Sequence, residues 1–182
     1  LAHGAFLVDV GGALVPLTER VPLYPVILAL IRLISETTLA AVLVQAMTDS
    51  VTCVLIAMLG TLVNSRVGRT AGLLAAVWPN MIIHSAQILT DSIFLLVLVS
   101  AMCVFAAVVN KSTFLRVMAL GLLIGLAMMT RAAAQFAPPV IAVTIAYLVL
   151  RSGRQLFVAV ALSCTFLVVV LAVISPITLR NL

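Results

Sequence analysis

An acid stands at the start of one of the most apolar stretches of this chain. The segment WPNMIIHSAQILTDSIFLL, residues 78–96, places Asp91 two residues before the apolar run that begins at Ile93. A charge in the hydrocarbon core of a membrane costs about 3 kcal/mol or more, so such residues usually have a partner or a function. Asp91 can act as a metal ligand, a general base or a substrate contact, or it can simply cap the following helix.

Two further side chains near this acid are candidates for the same site. His84 lies seven residues before Asp91, which on a continuous helix is about two turns and therefore the same face. It is either a ligand or donor beside Asp91 or an interfacial histidine. Asp49 follows Gln45 in QAMTDS, where it either faces a wet cavity or makes a polar contact between helices.

Two arginines could bind an anionic group. Arg131 ends the segment LAMMTRA, and Arg180 lies in SPITLRN. A guanidinium binds phosphate through a planar fork of N–H donors. An arginine at the headgroup boundary can also just extend its charge into water, so both interpretations stay open for both residues.

Several common chemistries have no motif in the chain. The sequence contains no GxSxG, HExxH, GxxxxGK or CxxC. The three cysteines lie in separate apolar runs, where packing explains them. Gly121 and Gly125 form GLLIG, a spacing typical of close helix packing.

The composition identifies the solvent that this chain is adapted to. Hydrophobic residues make up 65% of it, charged residues 8%, and the mean hydropathy is +1.37. Soluble domains carry about 25% charged residues, so the chain has too little charge for a water-facing surface.

The fold class predicted is all-α, a polytopic transmembrane bundle with about six spans. The predicted spans are residues 38–63, 70–89 (interrupted by Pro79), 92–109, 114–129, 136–150 and 156–174, the last one ended by Pro176.

The charges indicate how the spans are oriented. With their immediate flanks, three alternate connectors carry six basic residues and no acid: Arg66, Arg69, Lys111, Arg116, Arg151 and Arg154. Basic connectors mark the cytoplasmic face. Asp91, Arg131 and Arg180 fall on the opposite face. The net charge of +5 is therefore a topology signal, and we expect no nucleic-acid partner.

The first 37 residues differ from the rest of the chain. Glycines and prolines break up residues 1–22, which predicts a loop with short helical pieces. Tyr24 and Pro25 open an apolar helix to about Ile34 that is too short to span and suits the membrane interface. We predict an extracytoplasmic loop with an interfacial helix over residues 1–37 and a transmembrane bundle over residues 38–182.

Several stretches together resemble the GT-C membrane glycosyltransferases, which include the protein mannosyltransferases and aminoarabinose transferases. ERVPLYPVILAL resembles the family's R-x-P-x-YP-x-x-LA segment, and VQAMTDSVTCVL its glutamine-bearing helix. AAVWPNMIIHSAQILTDSIF resembles A-x-x-x-P…L-T-E-x-x-F with Asp91 as the acid. GLLIGLAMMTRAA resembles G-x-x-x-G-L-A-x-L-T-R-P with Ala132 in place of proline, and SPITLRN resembles P-W-x-x-RN with Ile177 in place of tryptophan.

The resemblance implies transfer of a sugar from a polyprenyl-phosphate donor to an acceptor on the extracytoplasmic side, at the plasma membrane of a prokaryote. The acceptor, which is a hydroxyl on a lipid, protein or glycan, stays open. Asp91 would be the catalytic or metal-binding acid and Arg131 the phosphate ligand, and a divalent cation is a possible cofactor. The other implied substrate contacts are His84, Arg20, Tyr24 and Arg180.

One part of the family pattern has no counterpart in these residues. The family's principal catalytic aspartate lies in a D-x-x-x-Y neighbourhood before L-A-x-G, and LAHG opens this chain at Leu1. Asp9 and Glu19 do not match its position. We therefore expect that aspartate and the first helix upstream of Leu1, and the family's C-terminal part after Leu182.

Two other classes of function compete with the transferase. A small transporter or ion-pathway subunit would use Asp49, His84 and Asp91 as relay groups, although the chain shows no inverted repeat. A structural membrane subunit would have no chemistry at all.

Overall fold

The computed structural model describes residues 7–10, 13–16, 23–34, 37–86 and 90–180. Within these ranges a short antiparallel hairpin precedes a bundle of helices. The strands are β1 (Leu7–Val10) and β2 (Ala13–Pro16). The helices are α1 (Leu23–Ile34), α2 (Thr38–Thr61), α3 (Ser65–Ala76), α4 (Pro79–Ala86), α5 (Asp91–Asn110), α6 (Phe114–Met128), α7 (Ala137–Arg151) and α8 (Leu156–Arg180), with a 3₁₀ turn at Ala132–Phe136 before α7.

The predicted fold class, an all-α transmembrane bundle, is confirmed. Four helical segments are long and apolar enough to cross a membrane, namely Thr38–Thr61, Asp91–Asn110, Ala133–Arg151 and Leu156–Pro176. Helix α6 is apolar and shorter, at 15 residues. Helix α1 has 12 residues and ends at Ile34, as predicted from the sequence. Since 12 helical residues extend only about 18 Å, α1 is too short to span.

The prediction of loop and helical pieces before α1 was wrong where the hairpin lies. Val10 pairs with Ala13, so the two strands are joined by two residues, Gly11 and Gly12. The sequence carried a signal for this structure, because LVDV and ALVP are β-prone runs separated by Gly-Gly, a dipeptide typical of two-residue hairpin connections. The periodicity of such short runs is too weak to separate strand from helix by itself.

The predicted interruption of the second span at Pro79 is confirmed, because the chain forms two short helices there. Helix α3 ends at Ala76, and α4 begins at Pro79 and has only 8 residues. Pro79 cannot donate the backbone hydrogen bond that a continuous helix would need at that position. Together, α3 and α4 return the chain along α2, because residues near their junction line one cavity with the middle of α2.

Helices α2 and α3 pack at unusually close range through glycines. A Cβ atom added to Gly60 would lie 2.8 Å from the Cα atom of Gly68. A Cβ atom added to Gly68 would lie 2.7 Å from the carbonyl oxygen of Ala57, and one added to Gly72 would lie 2.7 Å from the Cβ atom of Ala57. Gly68 and Gly72 form a second small-x-x-x-small pattern, which the sequence prediction overlooked.

The bundle has two chemically different ends. Helices α2 and α5 run parallel: Ser92 at the start of α5 contacts Asp49 of α2, and the Sγ atom of Cys103 lies 3.9 Å from the carbonyl oxygen of Leu55. The connectors that follow α2, α5 and α7 therefore lie at one end of the bundle. The start of α5 and the end of α6 lie at the other end, about 30 Å away for a helix of 20 residues.

Two arginines of the basic end have structural roles. The Arg116 guanidinium donates to the carbonyl oxygens of Ala107 at 2.7 Å and Lys111 at 3.1 Å, at the C-terminus of α5. Arg154 donates to the carbonyl oxygen of Ser112 at 2.9 Å. A cation at a helix C-terminus satisfies carbonyls that lack a partner within the helix and favourably meets the helix dipole. These contacts help to fix the connectors at this end.

Helix α6 occupies the centre of the bundle. Val117 and Leu120 are fully buried, and the GLLIG glycines face α8. A Cβ atom added to Gly121 would lie 3.0 Å from the carbonyl oxygen of Phe166, and one added to Gly125 would lie 2.7 Å from the Cβ atom of Val173. The predicted role of this glycine pair in close helix packing is confirmed.

Helix α8 continues through Pro176 to Arg180, so the prediction that this proline ends the helix was wrong. Proline cannot donate a hydrogen bond to the carbonyl of the residue four positions earlier, which is Ala172. The hydroxyl of Ser175 donates to that same carbonyl oxygen at 2.8 Å. A neighbouring side chain thus satisfies the freed acceptor, which is how membrane helices tolerate an internal proline.

Candidate functional site

Asp91 and Arg131 form an ion pair at the end of the bundle opposite to the basic connectors. The Nη1 atom of Arg131 lies 2.7 Å from the Oδ1 atom of Asp91. Asp91 is the first residue of α5, and Arg131 follows α6. The two residues are 40 positions apart in sequence, and they meet because α5 and α6 are antiparallel neighbours. The predicted common face of these two residues is confirmed.

The end of α6 holds Arg131 in place. The carbonyl oxygen of Ala127 accepts from the backbone N–H groups of Thr130 at 3.1 Å and Arg131 at 3.0 Å. The hydroxyl of Thr130, which is 4% exposed, donates to the same oxygen at 2.7 Å. The helix is therefore closed by a compact turn, and the arginine side chain begins from a fixed backbone position.

Phe94 supplies a second contact to the same arginine. The Cζ atom of Arg131 lies 5.9 Å from the centroid of the Phe94 ring, within the range of a cation–π interaction. Asp91 and Phe94 are three residues apart on α5 and so lie on one helix face. The acid and the aromatic ring of the TDSIF stretch thus both contact one guanidinium, which gives a physical reason for their spacing.

The Asp91–Arg131 pair is accessible. The Arg131 side chain is 55% exposed and the Asp91 side chain 35% exposed. Ion pairs that are this exposed contribute about 0–1 kcal/mol, since water or other polar groups replace most of the interaction. Arg131 can therefore turn towards another anion at little cost. Among the described residues, Asp91 supplies the one hydrogen-bond acceptor that Arg131 contacts.

Capping alone does not explain Asp91. The residue at the N-cap position is Thr90, and Asp91 is the first residue inside the helix. Its described hydrogen bond goes to Arg131 rather than to a free amide of the first turn. An acidic side chain still lies favourably at the helix N-terminus, so Asp91 suits both the helix dipole and the neighbouring arginine.

A second polar contact lies just inside the first one. The hydroxyl of Ser92 donates to the Oδ2 atom of Asp49 at 3.0 Å, and both residues are buried, at 2% and 8% exposure. Asp49 therefore takes part in a polar contact between α2 and α5, one of its two predicted roles. The sequence prediction missed Ser92, although its position beside Asp91 at a helix start is one where serine often finds a polar partner.

His84 does not lie on a helix continuous with Asp91, so that premise of its prediction was wrong. It belongs to α4, which ends at Ala86, whereas α5 begins at Asp91. The His84 side chain is outside the described part of the structure. The relay alternative required His84 together with both acids. Of the two acids, Asp49 accepts a hydrogen bond from Ser92 and Asp91 accepts one from Arg131.

The remaining predicted site residues are not shown to join the pair. Arg20 lies outside the described residues. The backbone of Arg180 ends α8, at the same end as Arg131 because α6 and α8 run parallel, and its side chain is not described. Tyr24 lies on α1, half-buried, and burial raises the pKa of its phenol. That phenol therefore stays neutral and offers a hydrogen bond rather than a charge.

The described residues do not form a metal site. No group of three or more histidine, cysteine, aspartate or glutamate side chains that could hold a metal ion occurs among them. The Oδ1 atom of Asp91 is already bonded to a cation, the Arg131 guanidinium. A divalent cation at Asp91 would be repelled by Arg131 unless that arginine moved away.

The arrangement suits a substrate that carries an anionic group next to an atom that a hydroxyl group can attack. The Arg131 fork has N–H donors beyond the one bonded to Asp91, and planar guanidinium geometry matches phosphate oxygens. The Oδ2 atom of Asp91 has no hydrogen-bond partner among the described residues and can accept a proton. One accessible pair therefore offers an anion-binding group beside a base.

Comparison with known protein families gives a match over most of the chain. A family model described as dolichyl-phosphate-mannose-protein mannosyltransferase matches residues 19–179 and so covers most of the chain. The matched region contains both Asp91 and Arg131. No curated protein and no solved structure gives a significant match.

Proposed function

Since the chain belongs to the dolichyl-phosphate-mannose-protein mannosyltransferase family, whose members are multi-pass membrane glycosyltransferases that use lipid-linked sugars, we propose a specific reaction for it. The protein moves a sugar from a polyprenyl-phosphate donor to an acceptor hydroxyl on the extracytoplasmic side of the membrane. Arg131 binds the donor phosphate, and Asp91 contacts the acceptor.

The observation that carries the proposal is the accessible Asp91–Arg131 pair, 2.7 Å apart, at one end of an apolar bundle. A polyprenyl phosphate has an apolar tail and an anionic head, so its phosphate is confined to the depth at which the bundle ends. A cation at that depth can bind the phosphate while the tail stays in the lipid. The weak, exposed pair leaves Arg131 able to exchange Asp91 for the donor.

The proposed chemistry needs two functions of the pair. The acceptor oxygen attacks the anomeric carbon, the bond from that carbon to the phosphate oxygen breaks, and its electron pair stays on the phosphate. The guanidinium stabilises the charge that develops there. The acceptor proton passes to a carboxylate, and the Asp91 Oδ2 atom is the candidate for that role among the described residues.

The experiment that tests this function is a transfer assay. The protein, expressed from its complete reading frame and placed in liposomes, is given radiolabelled polyprenyl-phosphate mannose or a nucleotide-linked mannose, with peptide, glycan and lipid acceptors. We expect labelled product from the lipid-linked donor only. Transfer from the nucleotide sugar, with the lipid-linked donor inert, would overturn the proposal.

The proposed orientation has its own test. We expect Arg66, Lys111 and Arg151 to face the cytoplasm and Asp91 and Arg131 to face the opposite side, because the basic connectors lie together at one end of the bundle. Single cysteines at positions 66 and 91 of a cysteine-free variant should react with impermeant reagents from opposite sides. Labelling of both positions from one side would exclude the arrangement.

A further inference from the structure

Asp49 is a buried acid that the proposed reaction does not use. It lies in the middle of α2, is 8% exposed, and its Oδ2 atom accepts from the Ser92 hydroxyl at 3.0 Å. Ser92 is itself 2% exposed and directly follows Asp91. An acid in a membrane helix is costly unless it has polar partners, so a residue of this kind needs a structural or functional reason.

Asp91 and Ser92 connect the first turn of α5 to two different neighbours. Successive residues of a helix point about 100° apart, so one turn can reach in two directions. Asp91 reaches Arg131 at the end of α6 at 2.7 Å, and Ser92 reaches Asp49 of α2 at 3.0 Å. The first turn of a helix lacks part of the internal hydrogen bonding of later turns. The contact to Asp49 therefore stabilises the turn that would otherwise fray first.

The chemical type of the Asp49 side chain also suits this position. The free N–H groups of a helix N-terminus carry a partial positive charge, and a carboxylate nearby is stabilised by it. Asp49 reaches that terminus from a neighbouring helix rather than from α5 itself. Asp49 thus contacts the first turn of α5 from α2, through the Ser92 hydroxyl, while the Asp91 side chain contacts Arg131.

We propose that Asp49 is a positioning residue for the Asp91–Arg131 pair: through Ser92 it fixes the start of α5, and thereby the placement of the acid and the arginine that contact donor and acceptor. This inference rests on the function proposed above. A catalytic group displaced by about 1 Å can lose about 100-fold in rate. Loosening one turn of α5 should have a smaller effect of the same kind.

Three single variants separate the hydrogen bond from other roles of Asp49. Asp49→Leu removes the acceptor at similar size, Asp49→Asn keeps an acceptor oxygen, and Ser92→Ala removes the donor. We expect Asp49→Leu and Ser92→Ala to lower kcat/KM about tenfold with a raised donor KM, and Asp49→Asn to stay within about threefold of the unsubstituted protein. The double variant Asp49→Leu/Ser92→Ala should be no worse than the poorer single variant, because both remove one interaction.

A second measurement, which does not depend on sugar transfer, tests the same three variants. Hydrogen–deuterium exchange of peptides that cover residues 90–96 should become faster in Asp49→Leu and Ser92→Ala and stay close to normal in Asp49→Asn. This measurement reports on the start of α5 even if the protein transfers no sugar, so a failure of the proposed function would not be mistaken for a failure of this proposal.

Two outcomes would overturn the positioning role. The first is additive losses in the double variant, with unchanged exchange at residues 90–96, because Asp49 and Ser92 would then act separately. The second is a normal donor KM and normal exchange in Ser92→Ala. If Asp49→Leu fails to fold, Ser92→Ala and Asp49→Asn still decide the question, since each changes one end of the contact conservatively.

Discussion

Replacing Asp91 by asparagine is expected to lower sugar transfer by about 100-fold or more while the protein stays folded. Asparagine keeps the size of the side chain and an oxygen that can accept from Arg131, but it cannot take a proton from an acceptor hydroxyl. Loss of a general base typically costs about 10²- to 10⁴-fold in rate. The loss should fall mainly on kcat, and the thermal transition of the purified protein should move little, because the lost ion pair is exposed.

Asp91→Glu is the matched control for this variant. It keeps the carboxylate and changes only its reach, so we expect it to retain much more activity than Asp91→Asn. Near-normal transfer by Asp91→Asn would show that the acid does no more than stabilise the helix terminus. A raised donor KM with unchanged kcat would assign Asp91 to holding Arg131 and not to proton transfer.

Replacing Arg131 by glutamine is expected to raise the donor KM by about 10- to 100-fold. A hydrogen bond to a charged group contributes about 1.5–3 kcal/mol, and each 1.4 kcal/mol corresponds to a factor of ten. Arg131→Lys keeps the charge but loses the planar fork, so its KM should lie between those of the glutamine variant and the unsubstituted protein. Initial rates at varied donor concentration in detergent or liposomes give these values.

Arg69→Gln is the matched control for this substitution. It removes the same charge from an exposed position in α3, at the opposite end of the bundle. We expect its donor KM to be normal. If both glutamine variants raise the KM equally, the effect is one of net charge at the membrane. In that case, Arg131 has no special role in donor binding.

The location of Asp91 and Arg131 at the same end of the bundle was predictable from the sequence, because the spans alternate in direction. Basic connectors without acids indicate one face, and counting crossings places both residues on the other. The direction in which each helix crosses the membrane follows from the number of crossings before it. The 2.7 Å contact does not follow, because it also depends on α5 and α6 being neighbours, and span order does not determine which helices touch.

The contacts that surround the pair could not be predicted in the same way. Ser92 and Asp49 are 43 residues apart, and their meeting depends on the parallel packing of α2 and α5. Phe94 had a local signal, since its spacing of three residues from Asp91 puts both on one helix face. The contact of its ring with a guanidinium could be predicted only from the position of Arg131 in the fold.

The two prolines that were predicted to break a helix differ in their effect on the helix. Pro79 was expected to interrupt a span, and the structure has two separate helices there. Pro176 was expected to end a helix, yet α8 continues, with the Ser175 hydroxyl bonded to the carbonyl of Ala172. The sequence shows which backbone hydrogen bond within the helix each proline removes. It does not show whether another donor replaces that bond.

Direct binding of the donor tests the central claim, that Arg131 beside Asp91 forms the phosphate site of a membrane glycosyltransferase. The measurement is equilibrium binding of labelled polyprenyl-phosphate mannose to the purified protein, to Arg131→Gln and to Arg69→Gln, in detergent without an acceptor. The account predicts saturable binding by the unsubstituted protein and by Arg69→Gln, with a Kd raised about 10-fold or more in Arg131→Gln. Equal affinity of all three proteins for the donor would contradict it.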